Sequence, residues 1–236
     1  MKIFAKIRFY WGAFIISFIV AILMIPLITI FPKYKGIIMH RLNKLIIFLM
    51  GGKVEQVGEV DKSANLILMN HQGIIDIVGL EALQRKHHRW VAKKELFNAT
   101  WFGYLLKNGD MISIDRDNKV GLLKLIKDIK ETVENTDRAV VIFPEGTRAK
   151  GQELLPFKAG ARFIGKKLNM RVQPVVITGS KKLLNEHIKI GANATVRYIY
   201  LPAFNVKDSP KDWYENLTID MQKVIDNELS DNNRSR

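Results

Sequence analysis

The sequence predicts an α/β fold: a single domain with a largely parallel or mixed sheet flanked by helices, preceded by an N-terminal membrane-associated helical segment. From about residue 51 onward, short apolar runs typical of strands alternate with stretches of helical spacing. Before them, residues 9–32 form a run of 24 residues without a charge. No long linker rich in Gly, Ser or Pro divides the chain. We therefore expect residues 1–50 to be a membrane anchor and residues 51–236 to be one α/β domain.

The amino-acid composition excludes several functional classes and limits the partners that the protein can have. The chain has 236 residues, 47% of them hydrophobic and 25% charged, which is a globular composition. It contains no cysteine, which excludes a disulfide framework, a cysteine nucleophile and an iron–sulfur cluster. The formal net charge is +14, which fits nucleic acid, an anionic membrane surface or a phosphorylated substrate. The charge next to the apolar N-terminal run favours the membrane surface over nucleic acid.

Residues 9–32 are long and apolar enough to cross a bilayer. A cleaved signal peptide is disfavoured, because the apolar region is too long and no small-x-small cleavage site follows it. A buried core helix is disfavoured by the length of the uninterrupted run. Pro26 lies inside the run and is expected to kink or break the helix.

Two arrangements of this segment stay open: one spanning helix, or a two-helix hairpin lying in one leaflet. Residues 36–50 mix apolar side chains with basic ones, as an interfacial helix does. Basic residues flank the apolar run on both sides, so the positive-inside rule gives no orientation. This symmetry favours the hairpin. The basic residues are Lys2, Lys6 and Arg8 before the run, and Lys33, Lys35, Arg41 and Lys44 after it.

The elements of the α/β domain follow from the spacing of apolar residues. Short apolar or β-branched runs predict strands at residues 65–70, 89–92, 111–114, 139–143, 171–178 and 195–201. Apolar residues at three- and four-residue spacing predict helices over residues 75–83, 122–133, 159–168 and 213–229. Residues 230–236 read as a frayed polar tail.

The first candidate for chemistry is N-H-Q-G-I-I-D, residues 70–76, where a predicted strand ends and a predicted helix begins. Active sites of α/β folds collect at the carboxyl ends of strands. His71 can act as a base, and Asp76 can hold its imidazole in one tautomer and stabilise the imidazolium. Residues five apart on one helix point about 140° apart, so the pair requires His71 to lie on the preceding loop. The alternative is a loop histidine beside a helix N-cap.

The second candidate is F-P-E-G-T-R, residues 143–148, directly after a predicted strand. Gly146 permits close backbone approach to a ligand. Thr147 and Arg148 are hydrogen-bond donors suited to a phosphate, which Arg can bind with two bonds. The alternative is a polar turn in which Glu145 and Arg148 pair at the surface.

Further cations follow other predicted strands. Arg116 comes after the strand at residues 111–114, so it would reach the same edge of the sheet as His71 and Arg148. Lys93 and Lys94 follow the strand at residues 89–92. Cations that converge there would bind a phosphate, and the alternative is a solvated charged face. No dense cluster of His, Asp and Glu suggests a metal site, so we expect no metal.

Taken together, these segments resemble the glycerolipid acyltransferase family, and within it the lysophosphatidic acid acyltransferases. The family's N-H-x-x-x-x-D motif is matched by residues 70–76, and its motif ending in an Arg after a strand by residues 109–116. Its F-P-E-G-T-R motif is matched letter for letter by residues 143–148. A further motif, a Pro within an apolar strand, is matched by residues 172–177. The motifs occur in the family's order, and the resemblance spans residues 60–180.

The resemblance implies transfer of a fatty acyl chain from a thioester to the sn-2 hydroxyl of 1-acylglycerol 3-phosphate, which gives phosphatidic acid. It implies that His71 and Asp76 are the catalytic pair. Two roles stay open for Glu145, acceptor binding or a salt bridge that positions Arg148, because a carboxylate beside a phosphate is repulsive. The residues expected to bind the phosphate and acceptor are Arg116, Glu145, Gly146, Thr147 and Arg148, assisted by Lys93 or Lys94.

The residues also indicate a route. The chain has no Cys and no Gly-x-Ser-x-Gly elbow, so direct attack of the hydroxyl on the thioester is simpler than a covalent acyl-enzyme. His71 would take the hydroxyl proton and return it to the leaving thiolate. Backbone N–H groups near Gly146, or at the start of the helix after His71, are the expected donors to the oxyanion.

The expected partners are membrane lipids, namely lysophosphatidic acid and an anionic phospholipid surface, and an acyl thioester of coenzyme A or acyl carrier protein as co-substrate. We expect no further cofactor and no nucleic acid. The expected location is the membrane, at the cytoplasmic face. Three alternatives stay open: another lysophospholipid acceptor, a non-catalytic membrane-bound binder of anionic lipid or nucleic acid, and a metal-dependent hydrolase that uses His71 and Asp76 as ligands.

Overall fold

The computed structural model describes residues 2–115 and 119–232. Its α-helices are α1 (Lys2–Phe18), α2 (Ile25–Ile30), α3 (Lys35–Leu49), α4 (Ile75–Leu83), α5 (Thr100–Asn108), α6 (Lys119–Asn135), α7 (Ala159–Lys167), α8 (Ser180–Leu183) and α9 (Trp213–Asn232). Its strands are β1 (Gly52–Val57), β2 (Leu66–Met69), β3 (Arg89–Lys93), β4 (Ile112–Ile114), β5 (Val140–Ile142), β6 (Arg171–Thr178), β7 (Ala194–Tyr200) and β8 (Phe204–Asn205).

The strands form one mixed sheet, in the order β1-β7-β6-β2-β5-β3-β4, with β8 paired to the start of β6. The five strands from β6 to β4 in this order are parallel, whereas β7 runs antiparallel to β6. This confirms the predicted α/β class and the largely parallel or mixed sheet. The carboxyl ends of the five parallel strands share one edge, and the predicted site residues follow those ends.

Alternation of side chains along the strands gives the sheet two covered faces. In β2, Ile67 and Met69 belong to one hydrophobic cluster and Leu66 and Leu68 to the other. The first cluster joins the sheet to helices α1 to α5. The second joins it to α6, α7 and α9. Burial on both faces explains why β2 and β5 are unbroken apolar runs in the sequence.

The N-terminal helices fold into an antiparallel pair. Trp11 of α1 donates a hydrogen bond to the carbonyl oxygen of Leu49 at the end of α3 (3.3 Å), and α2 also contacts α3. Between α1 and α2, Ile19–Met24 is a π-helix. It ends two residues before Pro26, which has no N–H to donate, and α2 continues through the proline. The helix therefore changes its hydrogen-bond pattern here and is not broken.

One side of this helical pair is exposed and apolar. Large exposed side chains include Phe4, Ile7, Tyr10, Trp11, Phe14, Phe18, Phe31 and Phe48. Within the described residues, the stretch Lys2–Ile30 is long and apolar enough, by length and composition, to cross a membrane. The opposite side of the pair packs into the hydrophobic cluster of the sheet. The division between residues 50 and 51 therefore stays a prediction.

Most predicted elements lie within two residues of the observed ones, and the differences have physical reasons. The strand β1 was not predicted, because its half-exposed edge-strand sequence GKVEQV looks like a polar loop. The short helix α5 was also not predicted. Helix α9 extends to Asn232, so part of the predicted polar tail is helical, and residues 233–236 lie outside the described residues.

Candidate active site

His71 lies on the loop between β2 and α4, as its proposed pairing requires. Its Nδ1 lies 2.9 Å from Asp76 Oδ2. Asp76 is in the first turn of α4, and its side chain is fully buried, whereas the His71 side chain is 14% exposed. A carboxylate at Nδ1 favours the tautomer with the proton on Nδ1, which leaves Nε2 with the lone pair. The structure thus places the two predicted residues in contact and leaves the lone pair of His71 Nε2 available to a substrate.

Two buried side chains hold the loop that carries His71. The side-chain amide of Asn70 donates to the carbonyl oxygen of Ile177 (2.9 Å) and accepts from the Ile177 N–H (2.6 Å), which ties the end of β2 to β6. Beneath α4, the Tyr198 hydroxyl lies 3.0 Å from the carbonyl oxygen of Asp76, to which it donates. Burial raises the pKa of Tyr198, so the hydroxyl keeps its proton. These hydrogen bonds fix the positions of the loop that carries His71 and of the helix that carries Asp76.

An aromatic stack supports the imidazole. The ring of Phe143, the first residue of F-P-E-G-T-R, lies parallel to the His71 ring with centroids 3.8 Å apart. Trp90 stacks on Phe143 with ring centroids 5.5 Å apart, and it donates its indole N–H to Glu81 (2.8 Å). Burial alone would raise the pKa of Glu81, but contacts with two neighbouring histidines outweigh it and lower that pKa. Phe143 belongs to a motif that is visible in the sequence, but its contact with His71 is visible only in the structure.

Glu145 is a buried anchor for the backbone. Its two carboxylate oxygens accept hydrogen bonds from the N–H groups of His71 and Leu155, each at 2.8 Å. The next residue, Gly146, has a φ of 72°, a left-handed conformation that favours glycine. The contacts of Glu145 join the F-P-E-G-T-R turn to the His71 loop. Its expected role in acceptor binding stays a prediction.

Arg148 pairs with a carboxylate that the sequence analysis did not identify. Its Nη1 forms an ion pair with Glu186 Oε2, and Glu186 Oε1 accepts from the N–H of Ile74 (2.7 Å). Gly73 makes room for this contact, because a Cβ there would lie 2.8 Å from Glu186 Oε1. The salt bridge suggested for Glu145 and Arg148 is thus made by Glu186. No motif signal in the sequence distinguishes Glu186 from an ordinary surface glutamate.

Thr147, Lys93 and Lys94 are also predicted to bind the phosphate, and the structure places them at or after the ends of β5 and β3. Thr147 is exposed on the same turn as Arg148. Lys93 and Lys94 lie at the carboxyl end of β3, where they pair with Glu95 (3.2 Å) and Asp115 (3.1 Å). Arg116 lies outside the described residues. The structure therefore joins Arg148 to the His71 loop and leaves the roles of the other cations as predictions.

Four of the backbone amides in the two segments expected to hold an oxyanion already have acceptors. The N–H groups of Gln72 and Gly73 donate to Asp76 Oδ2 (2.5 and 2.9 Å), and that of Ile74 donates to Glu186. The Gly146 N–H donates to the Phe143 carbonyl oxygen (3.0 Å). These amides stabilise the loop and the Asp76 carboxylate, so in this arrangement they do not point to an oxyanion site.

Comparison with known proteins gives consistent matches. The family model described as Acyltransferase matches residues 52–178. A 1-acyl-sn-glycerol-3-phosphate acyltransferase of Helicobacter pylori is 41% identical over 176 residues, 74% of each chain. The protein of that name from Escherichia coli is 26% identical over 85% of this chain and 82% of its own. The crystal structure of the LPA acyltransferase PlsC from Thermotoga maritima, 18% identical, has a TM-score of 0.77 and 98% coverage of both chains, so the fold is shared.

Proposed function

The chain belongs to the acyltransferase family, and we propose that it transfers a fatty acyl chain from a thioester to the sn-2 hydroxyl of 1-acylglycerol 3-phosphate. The product would be phosphatidic acid. The 2.9 Å contact between His71 Nδ1 and Asp76 Oδ2, on a loop that Glu186 links to Arg148, is the observation that supports this most strongly. The names of the relatives support the choice of acceptor.

The geometry suits direct attack on the thioester. As the hydroxyl oxygen of the acceptor forms a bond to the acyl carbonyl carbon, His71 Nε2 takes the hydroxyl proton. The positive charge that develops on the imidazole faces the buried carboxylate of Asp76. When the tetrahedral intermediate collapses, the carbon–sulfur bond breaks and the thiolate takes the proton from His71. No acyl-enzyme is formed, and no metal ion or further cofactor enters this route.

Arg148 would bind the phosphate of the acceptor. An arginine guanidinium matches the geometry of a phosphate and forms charge-assisted hydrogen bonds with it. Arg116, Thr147, Lys93 and Lys94 are proposed to contribute further donors at the same edge of the sheet. The acyl donor is proposed to be a thioester of coenzyme A or of acyl carrier protein.

The acceptor class is tested by acyl transfer from a labelled thioester to a panel of acceptors in detergent. The panel contains 1-acylglycerol 3-phosphate, 1-acylglycerol and a lysophospholipid whose phosphate is a diester. We expect fast acylation of 1-acylglycerol 3-phosphate alone. Preference for the phosphodiester would contradict the proposed acceptor and support an acyltransferase for another lysophospholipid.

Replacement Arg148→Ala is expected to raise the KM for 1-acylglycerol 3-phosphate by about 10- to 100-fold, with a smaller change in kcat. Loss of a charge-assisted hydrogen bond costs about 1.5–3 kcal/mol, which corresponds to this range. Steady-state kinetics at varied acceptor concentration measure the effect. Arg162→Ala is the matched control, since Arg162 pairs with Glu215 at the surface. A fall in kcat at unchanged KM would instead place Arg148 in the transition state.

We propose that the exposed face of α1, α2 and α3 rests in one leaflet of an anionic membrane, at the cytoplasmic side where acyl thioesters are supplied. So many large, exposed apolar side chains on one face are unusual on a soluble monomer. Tyr10 and Trp11 are residue types enriched at membrane interfaces, and the flanking Lys and Arg residues attract anionic lipid. The antiparallel folding of the pair supports the hairpin over a single span.

Replacement Phe14→Glu is expected to lower binding to anionic phospholipid vesicles by about tenfold or more. Burial of a Phe side chain is worth about 1.5–3 kcal/mol, and a carboxylate would also be repelled by anionic lipid. Ile219→Glu on α9 is the matched control, because Ile219 is 54% exposed and Phe14 is 55% exposed. Vesicle flotation measures binding. Equal losses in both variants would contradict the assignment of the membrane face to α1.

A further inference from the structure

The loop between α8 and β7 holds Glu186 in a fixed place. The N–H of Asn185 donates to the Ile190 carbonyl oxygen (2.8 Å), and the reverse bond is 3.3 Å long. The Asn185 side-chain oxygen accepts from the N–H groups of His187 (3.0 Å) and Ile188 (3.2 Å). The loop is therefore closed by the two backbone hydrogen bonds between Asn185 and Ile190 and by the hydrogen bonds of the Asn185 side chain. This closure aims the Glu186 carboxylate at the edge of the sheet where the parallel strands end.

Glu186 contacts both halves of the candidate active site. One carboxylate oxygen pairs with Arg148, and the other accepts from the N–H of Ile74, at 2.7 Å. Ile74 lies between His71 and Asp76, directly before α4. A single carboxylate thus links the arginine proposed to bind the phosphate with the loop that carries the proposed base.

The ion pair leaves Arg148 able to bind a phosphate. Within the contacts of the described residues, Arg148 donates from Nη1 to Glu186, while its Nε–H and Nη2–H lie on the other edge of the guanidinium. The Arg148 side chain is 41% exposed and the Glu186 side chain 24% exposed. An arginine already held by one carboxylate loses less side-chain freedom when a phosphate binds to its second edge.

We propose that Glu186 is a positioning residue, which holds Arg148 at a fixed distance from His71 and so aligns the phosphate and the hydroxyl of one acceptor. This inference rests on the proposed function. The opposite role is that Glu186 competes with the phosphate for Arg148, and the two roles predict opposite changes in acceptor affinity.

The test is a double-mutant cycle of Glu186→Gln and Arg148→Ala. Gln keeps an oxygen for the Ile74 N–H but loses the charge that holds Arg148. We expect Glu186→Gln to raise the KM for short-chain 1-acylglycerol 3-phosphate by about threefold to tenfold. In the Arg148→Ala background the same change should have no further effect, because Glu186 acts through Arg148. Glu215→Gln, which breaks the surface pair with Arg162, is the matched control and should leave the KM unchanged.

A fall in KM for Glu186→Gln would overturn the proposal and assign Glu186 as a competitor of the phosphate. An equal effect with and without Arg148 would also overturn it, since Glu186 would then act through the loop alone. Equilibrium binding of the same lysolipid is measured in parallel. Wild-type protein that binds it without acylating it contradicts only the proposed function, and the cycle is then read from Kd. Wild-type protein that neither binds nor acylates it contradicts both.

Discussion

Replacement His71→Ala is expected to lower the rate of phosphatidic acid formation by about 10²- to 10⁴-fold, the range that a general base contributes. The hydroxyl of the acceptor is a weak nucleophile until its proton is removed, and His71 Nε2 is the basic nitrogen that the Asp76 contact leaves available. Alanine removes the base without adding a buried polar group. The fold should survive, because the loop is held by Asn70, Glu145 and Tyr198.

The rate is measured at saturating acceptor and donor, with the circular dichroism spectrum and elution volume of each variant as checks on folding. His40→Ala is the control, since His40 is another largely buried histidine, bonded to the carbonyl oxygen of Glu81 (2.9 Å). We expect His40→Ala to lower stability more than turnover. Turnover by folded His71→Ala near the wild-type rate would remove His71 from the role of base.

Replacement Asp76→Asn is expected to lower kcat by about a hundredfold or more while leaving the KM for the acceptor nearly unchanged. Asp76 Oδ2 accepts from His71 Nδ1 and from the N–H groups of Gln72 and Gly73, and an Asn oxygen can occupy the same place. The loop geometry should therefore be retained. What is lost is the negative charge that stabilises the imidazolium as the proton moves.

The control for this variant is Asp110→Asn. Asp110 pairs with Lys35 and Arg138 and has a φ of 55°, a conformation that Asn tolerates. Its loss should cost stability without a comparable loss of turnover. Of these two variants, only Asp76→Asn is expected to change kcat, measured as a rate per folded molecule. A rise in acceptor KM at constant kcat would indicate that Asp76 acts in binding.

The central sheet could be predicted from the sequence because its strands are buried on both faces. The runs of β2 and β5 are apolar throughout, and β6 contains the apolar, β-branched run V-V-I, which is the pattern of a buried strand. The edge strand β1, GKVEQV, has polar side chains at three of its six positions and is only partly buried, so it contains no apolar run of this kind. Its pairing with β7 is a long-range contact that local patterns do not contain.

The sequence predicted contacts in the candidate site only between residues that lie close together in the chain. His71 and Asp76 are five residues apart, and their placement on a loop and the following helix turn followed from the predicted strand and helix. The partner of Arg148 lies 38 residues further along the chain, and the loop that brings it back carries no motif. The support of His71 by Phe143 likewise depends on β2 and β5 being neighbours in the sheet. These contacts required the three-dimensional structure.

The most direct test of the account identifies the product and the position of the new ester. Purified wild-type and His71→Ala proteins are incubated with a labelled acyl thioester and 1-acylglycerol 3-phosphate, and the lipid formed is digested with a phospholipase that cleaves the sn-2 ester. We expect labelled phosphatidic acid from the wild type, with the label released from sn-2, and almost none from the variant. Labelled product formed equally by both proteins, or wild-type product with no label at sn-2, would contradict it.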